Sequence, residues 1–178
     1  MESILSFIPV PVAVILMAAG FVSLAVGGIR LGYKATVKNL ALDLVNVRLL
    51  LEPGMAEMAA LNASDEDIER IQRLCDRVES KIHSGDLYIE DDIAFHTCIA
   101  ESSKNMVVEQ LIPIIDTAVM MFVNVTHKKL TEETILTHRM ITEAIAQHDP
   151  IGARSAMVMH LNFNRNCIRK LYDGEWET

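Results

Sequence analysis

The sequence predicts an all-α fold, and three observations lead to that prediction. Aromatic residues make up only 5% of the 178 residues, and the apolar load of Leu, Ile, Val, Met and Ala favours helices over strands. Beyond the N-terminal segment, apolar residues recur at steps of three and four, the period of a helix. The sequence contains no convincing alternating strand and no Asn-Gly hairpin signal. We therefore expect an antiparallel bundle of about six to seven helices, preceded by a hydrophobic N-terminal helix.

Residues 1–34 form a hydrophobic segment, in which residues 3–29 carry no charged side chain. This uncharged stretch is longer than the roughly 20 residues that cross a bilayer as a helix. No basic residue precedes it, which argues against a signal peptide, whereas three bases follow it: Arg30, Lys34 and Lys38. The positive-inside rule then places the rest of the chain in the cytoplasm. We expect a transmembrane anchor through residues 4–28, with a buried hydrophobic helix or a gene-boundary artefact as alternatives.

The net charge and the spacing of the cysteines argue against some classes of function and of structural site. The net charge is −8, with 24 acidic and 16 basic residues, and the sequence contains no dense run of Lys and Arg. Such a chain is repelled by phosphate backbones, so direct nucleic-acid binding is not expected. The three cysteines lie far apart and form no Cys-x-x-Cys pair, which argues against a disulfide framework or a zinc ribbon.

The remaining residues, 35–178, form the predicted helical domain, whose first helix carries one apolar stripe. The stripe steps by three and four residues through Val37, Leu40, Leu44, Val47 and Leu51, so this line is expected to face the core. Pro53 follows, and because proline is favoured in the first turn of a helix, a new helical turn is expected to begin there and run through MAEMAAL.

The second helix begins at a cap. Ser64 with Asp67 three residues later is a sequence typical of a capping box, and it predicts a helix to about residue 83. A Ser-Gly-Asp turn ends this helix, and the following helix covers about residues 87–102 before the sequence Ser-Lys-Asn breaks it.

Three further helices complete the domain. A long apolar helix comes next, with a kink predicted at Pro113. Another helix is predicted over about residues 131–148. Asp149 and Pro150 then have the form of an N-cap followed by proline at the first helical position, and they open a final helix to about residue 172.

Four polar residues are predicted to point into this apolar bundle. Asp92 and His96 stand four residues apart and so share one helix face, and His138 and His160 lie on the apolar faces of two other helices. Each histidine alone is typical of a hydrogen-bonded core residue, and the Asp92–His96 pair alone is typical of a local ion pair. Together they would each need a polar partner in the core, and a shared divalent ion would satisfy all four. Both interpretations stay open at this point.

The chemistry of the four residues limits which ion would bind. Three imidazoles and one carboxylate suit zinc, nickel or manganese without selecting strongly among them. Open positions on such an ion could hold an activated water or a carboxylate ligand. The remaining histidines and one acid are expected to be solvated: His83, His127, His148 and Asp91. Cys98 and Cys167 are expected to be small core residues and not ligands.

Three segments resemble a known domain in order and spacing: VRLLLEPGMAEMAA, DDIAFHTCIAESSKN and HRMITEAIAQHDPIGARSAMVMHL. They are similar to the FCD domain, the C-terminal effector domain of GntR-type transcription regulators of the FadR group. The resemblance covers roughly residues 40–171. It implies an antiparallel all-α bundle around a pocket for a small organic acid, with a divalent metal ion, zinc first and nickel or manganese as alternatives.

The resemblance also implies roles for individual residues. Its metal-binding positions fall on the four residues selected above: Asp92, His96, His138 and His160. Arg48 and Asn105 match positions near the effector pocket, and a guanidinium suits a carboxylate. An alternative stays open for each residue. Arg48 could lie on the solvated side of its helix and pair with Asp43 or Glu52, and Asn105 could be a simple helix cap.

One departure from the family affects function. The family carries an N-terminal winged helix-turn-helix, whereas the hydrophobic segment precedes the match here. We therefore expect a ligand-sensing domain that forms a homodimer and reaches DNA only indirectly, through a winged-helix partner or a missing domain. Its expected location is the cytoplasm, at the inner face of the membrane if the anchor holds. The alternatives are a membrane-tethered metal-binding module, a truncated regulator, and a metallohydrolase. The hydrolase needs a spare inward base, which Glu101 and Glu143 are not expected to supply.

Overall fold

The computed structural model describes residues 29–126 and 130–173. These residues form seven α-helices and no strand, which confirms the all-α prediction. In chain order the helices are α1 (Ile29–Asn62), α2 (Asp65–Ser84), α3 (Ile89–Ser102), α4 (Met106–Glu109), α5 (Ile112–Thr126), α6 (Thr131–Ala146) and α7 (Pro150–Asp173).

The two longest helices, α1 and α7, pack side by side in opposite directions. Glu57 Oε2 of α1 lies 2.8 Å from Arg154 Nη1 near the start of α7, whereas Val45 of α1 shares a core cluster with Ile168 near the end of α7. Helix α3 packs against α1, α2 and α5, and α6 packs against α1, α2 and α7. The faces of α1, α3, α6 and α7 therefore meet in the middle of the bundle.

The largest apolar cluster surrounds this meeting point. Three fully buried alanines of α1 belong to it. Its largest fully buried side chains come from α2, α3, α6 and α7: Ile71, Phe95, Ile99, Ile141, Ile145, Met157 and Leu161. Burying each such side chain stabilises the fold by roughly 1.5–3 kcal/mol relative to leaving it exposed. The polar groups of the central site are thus enclosed in a low-dielectric setting.

The predicted helix ends at α2 and α7 are confirmed. The Ser64 backbone N–H donates to Asp67 Oδ2 at 2.9 Å, and the Asp67 N–H donates to Ser64 Oγ at 3.3 Å, which is a capping box. Gly85 ends α2 with φ +77°, a left-handed conformation that glycine adopts without a steric penalty. At α7, Asp149 Oδ1 accepts from the Gly152 N–H at 2.9 Å, and Pro150 is the first helical residue.

The prediction of a new turn at Pro53 was wrong, because α1 runs through this proline without a break. Proline inside a helix removes one backbone hydrogen bond and costs about 3 kcal/mol. The side chains on both sides of Pro53 are buried: Glu52 before it, and Met55 and Ala56 after it. Packing on this continuous face offsets the local cost.

The prediction of which residues of α1 face the core was also wrong: the buried line is shifted by one residue along the sequence from the predicted apolar stripe. Leu40 is 39% exposed, and the other four residues of the stripe are only partly buried. The fully buried line consists of Ala41, Val45, Arg48 and Glu52. Two of these residues are charged, so a search for apolar periodicity selects the neighbouring line.

The long helix with a kink at Pro113 proved to be two helices, α4 and α5. Pro113 is the second residue of α5, where its missing N–H removes no intrahelical bond. The interruption between the two helices covers residues 110–111, just before the proline, and no kink at Pro113 is needed.

None of the described helices is long and apolar enough to cross a membrane. The predicted anchor, residues 4–28, lies outside the described residues. The anchor and the division of the chain at residue 34 therefore stay predictions.

Candidate metal centre

Three histidines from three helices converge in the core. His96 of α3, His138 of α6 and His160 of α7 are all buried. One ring nitrogen of each lies within 4.8 Å of the others, and the ring centroids are 4.9–5.4 Å apart. Zinc–nitrogen bonds are about 2.1 Å long, so ligands of one ion are at most roughly 4.2 Å apart. Small side-chain rotations would therefore bring the three nitrogens onto one ion.

Asp92 lies at the edge of this cluster, one helical turn before His96. Its carboxylate is buried, and Oδ1 is 3.4 Å from Nε2 of His138. The group of atoms within 4.8 Å of one another includes the three histidines and not Asp92. The structure thus brings the four predicted ligands into one region, with the carboxylate farther from the centre than the imidazoles.

Several buried polar atoms in this region make no hydrogen bond. Within the part of the chain that the structure describes, neither ring nitrogen of His138 nor Oδ1 of Asp92 has a hydrogen-bond partner. Leaving such a group unsatisfied costs about 1–3 kcal/mol. Phe95 stacks on the His138 ring, with centroids 4.2 Å apart, and holds the ring in this orientation. Unpaired lone pairs on mixed nitrogen and oxygen donors fit a divalent metal ion.

His160 is oriented by two polar neighbours. Its Nδ1 is 2.8 Å from Thr137 Oγ1, and this hydroxyl donates to the Glu133 carbonyl at 2.6 Å. Because the hydroxyl proton is directed to Glu133, Oγ1 accepts the Nδ1–H of His160, and Nε2 carries the lone pair. The Asn164 amide lies 3.2 Å from Nε2. The Asn164 N–H donates to this lone pair, so Nε2 of His160 would bind a metal ion only in exchange for that hydrogen bond. A neutral imidazole oriented through its other nitrogen is typical of metal ligands.

His96 contacts a buried ion pair on α1. Glu52 Oε2 lies 2.8 Å from Nδ1 of His96, and Glu52 Oε1 accepts from Arg48 Nε at 2.5 Å. Arg48 Nη2 lies 3.1 Å from Nε2 and 3.4 Å from Nδ1 of the same ring. The Arg48 guanidinium therefore lies close to both ring nitrogens of His96.

Burial and charge set the protonation of the site. Burial alone would raise the pKa of Glu52, but the charge of Arg48 and the contact with His96 outweigh it and lower the pKa to about 2. Burial raises the pKa of Asp92 above its ordinary value. Burial, reinforced by neighbouring imidazoles and Arg48, holds the pKa of His138 and of His160 well below the ordinary value. Both histidines are therefore neutral near pH 7, the form that binds metal.

The two predicted effector residues have different surroundings. Arg48 is 1% exposed and lies beside His96, so the alternative of a solvated arginine is wrong, although its pairing with Glu52 is confirmed. Asn105 is exposed, and its Oδ1 accepts from the Val107 N–H at 3.0 Å, which caps α4. None of its described contacts is to the histidine cluster. A role for Asn105 in effector binding stays a prediction.

The expected solvent exposure was right for two histidines and wrong for one acid. His83 and His148 are exposed as expected, and His127 lies outside the described residues. Asp91 is buried, because Arg77 Nη2 and Lys81 Nζ of α2 each reach its carboxylate at 2.5 Å. Cys98 and Cys167 are buried core residues, as predicted.

Sequence reasoning missed three residues of the site: Glu52, Thr137 and Asn164. Asn164 stands four residues after His160, so the spacing that paired Asp92 with His96 could have found it. Thr137 contacts His160 across two helices, and no local sequence signal indicates this contact. Glu52 was considered only as a partner of a solvated Arg48.

Comparisons with known proteins give one consistent result. Residues 43–163 match the FCD domain family. The chain is 30% identical over 138 residues to the uncharacterized HTH-type transcriptional regulator YcbG of Bacillus subtilis, covering 73% of this chain and 55% of that protein. It is 31% identical to the HTH-type transcriptional regulator LutR of the same organism, covering 67% and 58% respectively. The chain thus spans a little over half the length of these curated relatives.

A solved structure shows the same architecture. The Streptococcus agalactiae GntR protein superposes with a TM-score of 0.64 at 30% sequence identity, covering 72% of this chain and 59% of that one. A further relative, at 29% identity, is the putative L-lactate dehydrogenase operon regulatory protein of Escherichia coli, of which the match covers 53%.

Proposed function

Because the chain belongs to the FCD domain family of GntR-type regulators, we propose that it is a sensing domain that binds a small carboxylate with the help of a divalent metal ion. The observation that carries the proposal is the convergence of three buried histidines and a buried aspartate beside a buried arginine. Within the described residues, Oδ1 of that aspartate has no hydrogen-bond partner. Its relatives are named as transcriptional regulators, which does not favour a hydrolase.

Four side chains would hold the metal: Asp92, His96, His138 and His160. The neutral imidazoles supply nitrogen donors, and the carboxylate supplies one oxygen and one negative charge. Zinc suits this donor set first, with nickel and manganese as alternatives. A bound ion would supply a Lewis-acidic centre for an oxygen of the carboxylate ligand.

Arg48 is the residue proposed to bind the carboxylate directly. Its guanidinium is buried beside His96, and its described bonds to Glu52 use Nε and Nη2. A guanidinium has five N–H donors in a planar fork that matches a carboxylate. Arg48 can therefore remain paired with Glu52 while it contacts a ligand. A role for Asn105 would require a ligand that extends toward the start of α4.

The position of the site suggests how binding could be signalled. The site residues come from α1, α3, α6 and α7, so a ligand that draws them together shifts the packing of four helices. In a homodimer, such a shift would change the relation between the two copies. Contact with DNA would then be indirect, through a winged-helix domain on a partner or on a longer form of the protein.

Thermal unfolding with added ligands tests the proposal. We expect Zn²⁺ to raise the melting temperature, and one or more of acetate, L-lactate and citrate to raise it further. The second increase should disappear with a chelator. A ligand at 100 times its Kd stabilises the folded state by about 2.7 kcal/mol, which is readily measured. Carboxylate effects that are the same with and without metal would contradict metal-dependent sensing.

A further inference from the structure

We propose that Glu52 is a positioning residue that prepares both halves of the site: it directs Nε2 of His96 toward the metal and holds Arg48 for the carboxylate ligand. This inference rests on the proposed function, since it explains how the metal and the carboxylate would be coupled at the same site. Neither the composition nor the family match selects Glu52 for this role.

The carboxylate of Glu52 has two partners: both of its oxygens contact Arg48, with Oε2 3.3 Å from Nη2, and Oε2 also contacts His96. Oε1 lies 2.5 Å from Arg48 Nε, and Oε2 lies 2.8 Å from His96 Nδ1. Glu52 is 2% exposed and Arg48 is 1% exposed, so solvent does not compete effectively for these contacts. One buried carboxylate on α1 thus bridges a proposed metal ligand on α3 and the proposed anion-binding residue on α1.

The contact with Oε2 determines how the His96 ring can act. A carboxylate paired with a guanidinium is ionised and can only accept hydrogen bonds. Nδ1 of His96 must therefore carry a proton, which leaves Nε2 as the ring nitrogen that can bind a metal ion. Thr137 fixes His160 in the same form. Two of the three imidazoles are thus set to bind through Nε2, as carboxylate–histidine pairs do in metal sites.

The negative charge of Glu52 offsets part of the positive charge of the metal ion and Arg48. A divalent ion, the Asp92 and Glu52 carboxylates and the Arg48 guanidinium would together carry one net positive charge. One monocarboxylate group neutralises that charge. Without Glu52 the excess would be two positive charges in a buried site, which penalises binding of the metal. Glu52 therefore makes the site suited to a ligand that presents one carboxylate to the ion and Arg48.

Zinc affinity and histidine tautomers test this role. Glu52→Gln keeps an oxygen that can accept from His96 but removes the charge. We expect Zn²⁺ binding, measured by competition with a chromophoric chelator, to weaken by about 10–100-fold. Glu57→Gln is the matched control on the same helix, because Glu57 is partly exposed and pairs with Arg154. This variant should bind Zn²⁺ like the unmodified chain.

A second variant separates positioning from folding. Arg48→Met with Glu52→Met removes both members of the buried pair, so no charge is left unpaired and the fold is expected to survive. Its circular dichroism should match that of the unmodified chain. Zn²⁺ binding should still be at least tenfold weaker, because His96 has lost its Nδ1–H acceptor. Affinity equal to the unmodified chain in both Glu52 variants would overturn the inference.

The tautomer measurement distinguishes this inference from the proposed function. Nitrogen-15 NMR of the metal-free chain should show His96 protonated at Nδ1, and this signature should be lost in the double variant. If the unmodified chain binds no Zn²⁺, the proposed function fails, and the coupling role of Glu52 fails with it. Binding of Zn²⁺ with His96 protonated at Nε2 would overturn the role of Glu52 alone.

Discussion

Asp92 Oδ1 and His138 Nε2 lie 3.4 Å apart in the core, and neither atom has a hydrogen-bond partner within the described residues. Burial raises the pKa of Asp92 and lowers the pKa of His138, so each group is shifted away from its charged form. Two polar groups that face each other without satisfying each other are costly for stability. A cation between them would satisfy both, and this relationship is the basis of the proposed metal centre.

Replacing His138 should abolish the effect of metal on stability. We expect His138→Ala to lose the rise in melting temperature that Zn²⁺ produces, because one of three imidazole ligands is gone and its neighbour Asp92 loses a shared ion. Differential scanning fluorimetry and elemental analysis would measure this. His83→Ala, at an exposed histidine, is the control and should respond to Zn²⁺ as the unmodified chain does. An undiminished zinc content in His138→Ala would remove His138 from the site.

Acid should destabilise the metal-free protein below the ordinary histidine pKa. The folded-state pKa of His138 and of His160 is lowered, so the unfolded chain binds more protons below about pH 6.5. Stability is then complete above that pH and falls as the pH decreases, by up to about 1.4 kcal/mol per pH unit for each histidine. Urea unfolding between pH 7.5 and 5 would show the slope. We expect His138→Gln to reduce the slope, and an unchanged slope would contradict burial of a neutral His138.

Asp91 should contribute to stability although it lies beside the site and not in it. Its buried carboxylate contacts Arg77 and Lys81 of α2 and so ties α2 to α3. We expect Asp91→Asn to lower the free energy of unfolding by about 1–2 kcal/mol, since Arg77 is largely exposed and screened by solvent. The control is Glu69→Gln, at an exposed pair with Arg73, where a loss below about 0.5 kcal/mol is expected. Equal losses in the two variants would show that burial of Asp91 adds nothing.

The uncharged N-terminal stretch makes a separate prediction about location. If residues 4–28 anchor the chain, removing residues 1–28 should transfer it from the membrane fraction to the supernatant after ultracentrifugation. The bases that follow at Arg30, Lys34 and Lys38 would then lie on the cytoplasmic side. Recovery of the full-length chain in the supernatant would contradict the anchor, without bearing on the metal centre.

The four proposed ligands could be selected from sequence because helical periodicity places polar residues on faces that are otherwise apolar. Asp92 and His96 share one such face, and the family resemblance independently selects the same residues. The starts of α2 and α7 could also be predicted from sequence, because Ser64 and Asp149 cap their own helices through local hydrogen bonds.

The features that could not be predicted from the sequence depend on contacts between helices. Glu52 entered only as a partner of Arg48 in the alternative of a solvated arginine, and its burial is explained by its contacts with Arg48 and His96. Asp91 was expected to be solvated because it points away from the helix face that carries Asp92 and His96, but that other face packs against Arg77 and Lys81 of α2. The continuity of α1 through Pro53 likewise follows from packing on both sides of the proline, which no local propensity includes.

X-ray absorption at the zinc edge, on the chain loaded with one equivalent of Zn²⁺, tests the central claim most directly. The metal centre predicts nitrogen and oxygen ligands at about 2.0–2.2 Å, with outer-shell scattering from three imidazoles. A sulfur shell at about 2.3 Å, or scattering from fewer than two imidazoles in the unmodified chain, would contradict it.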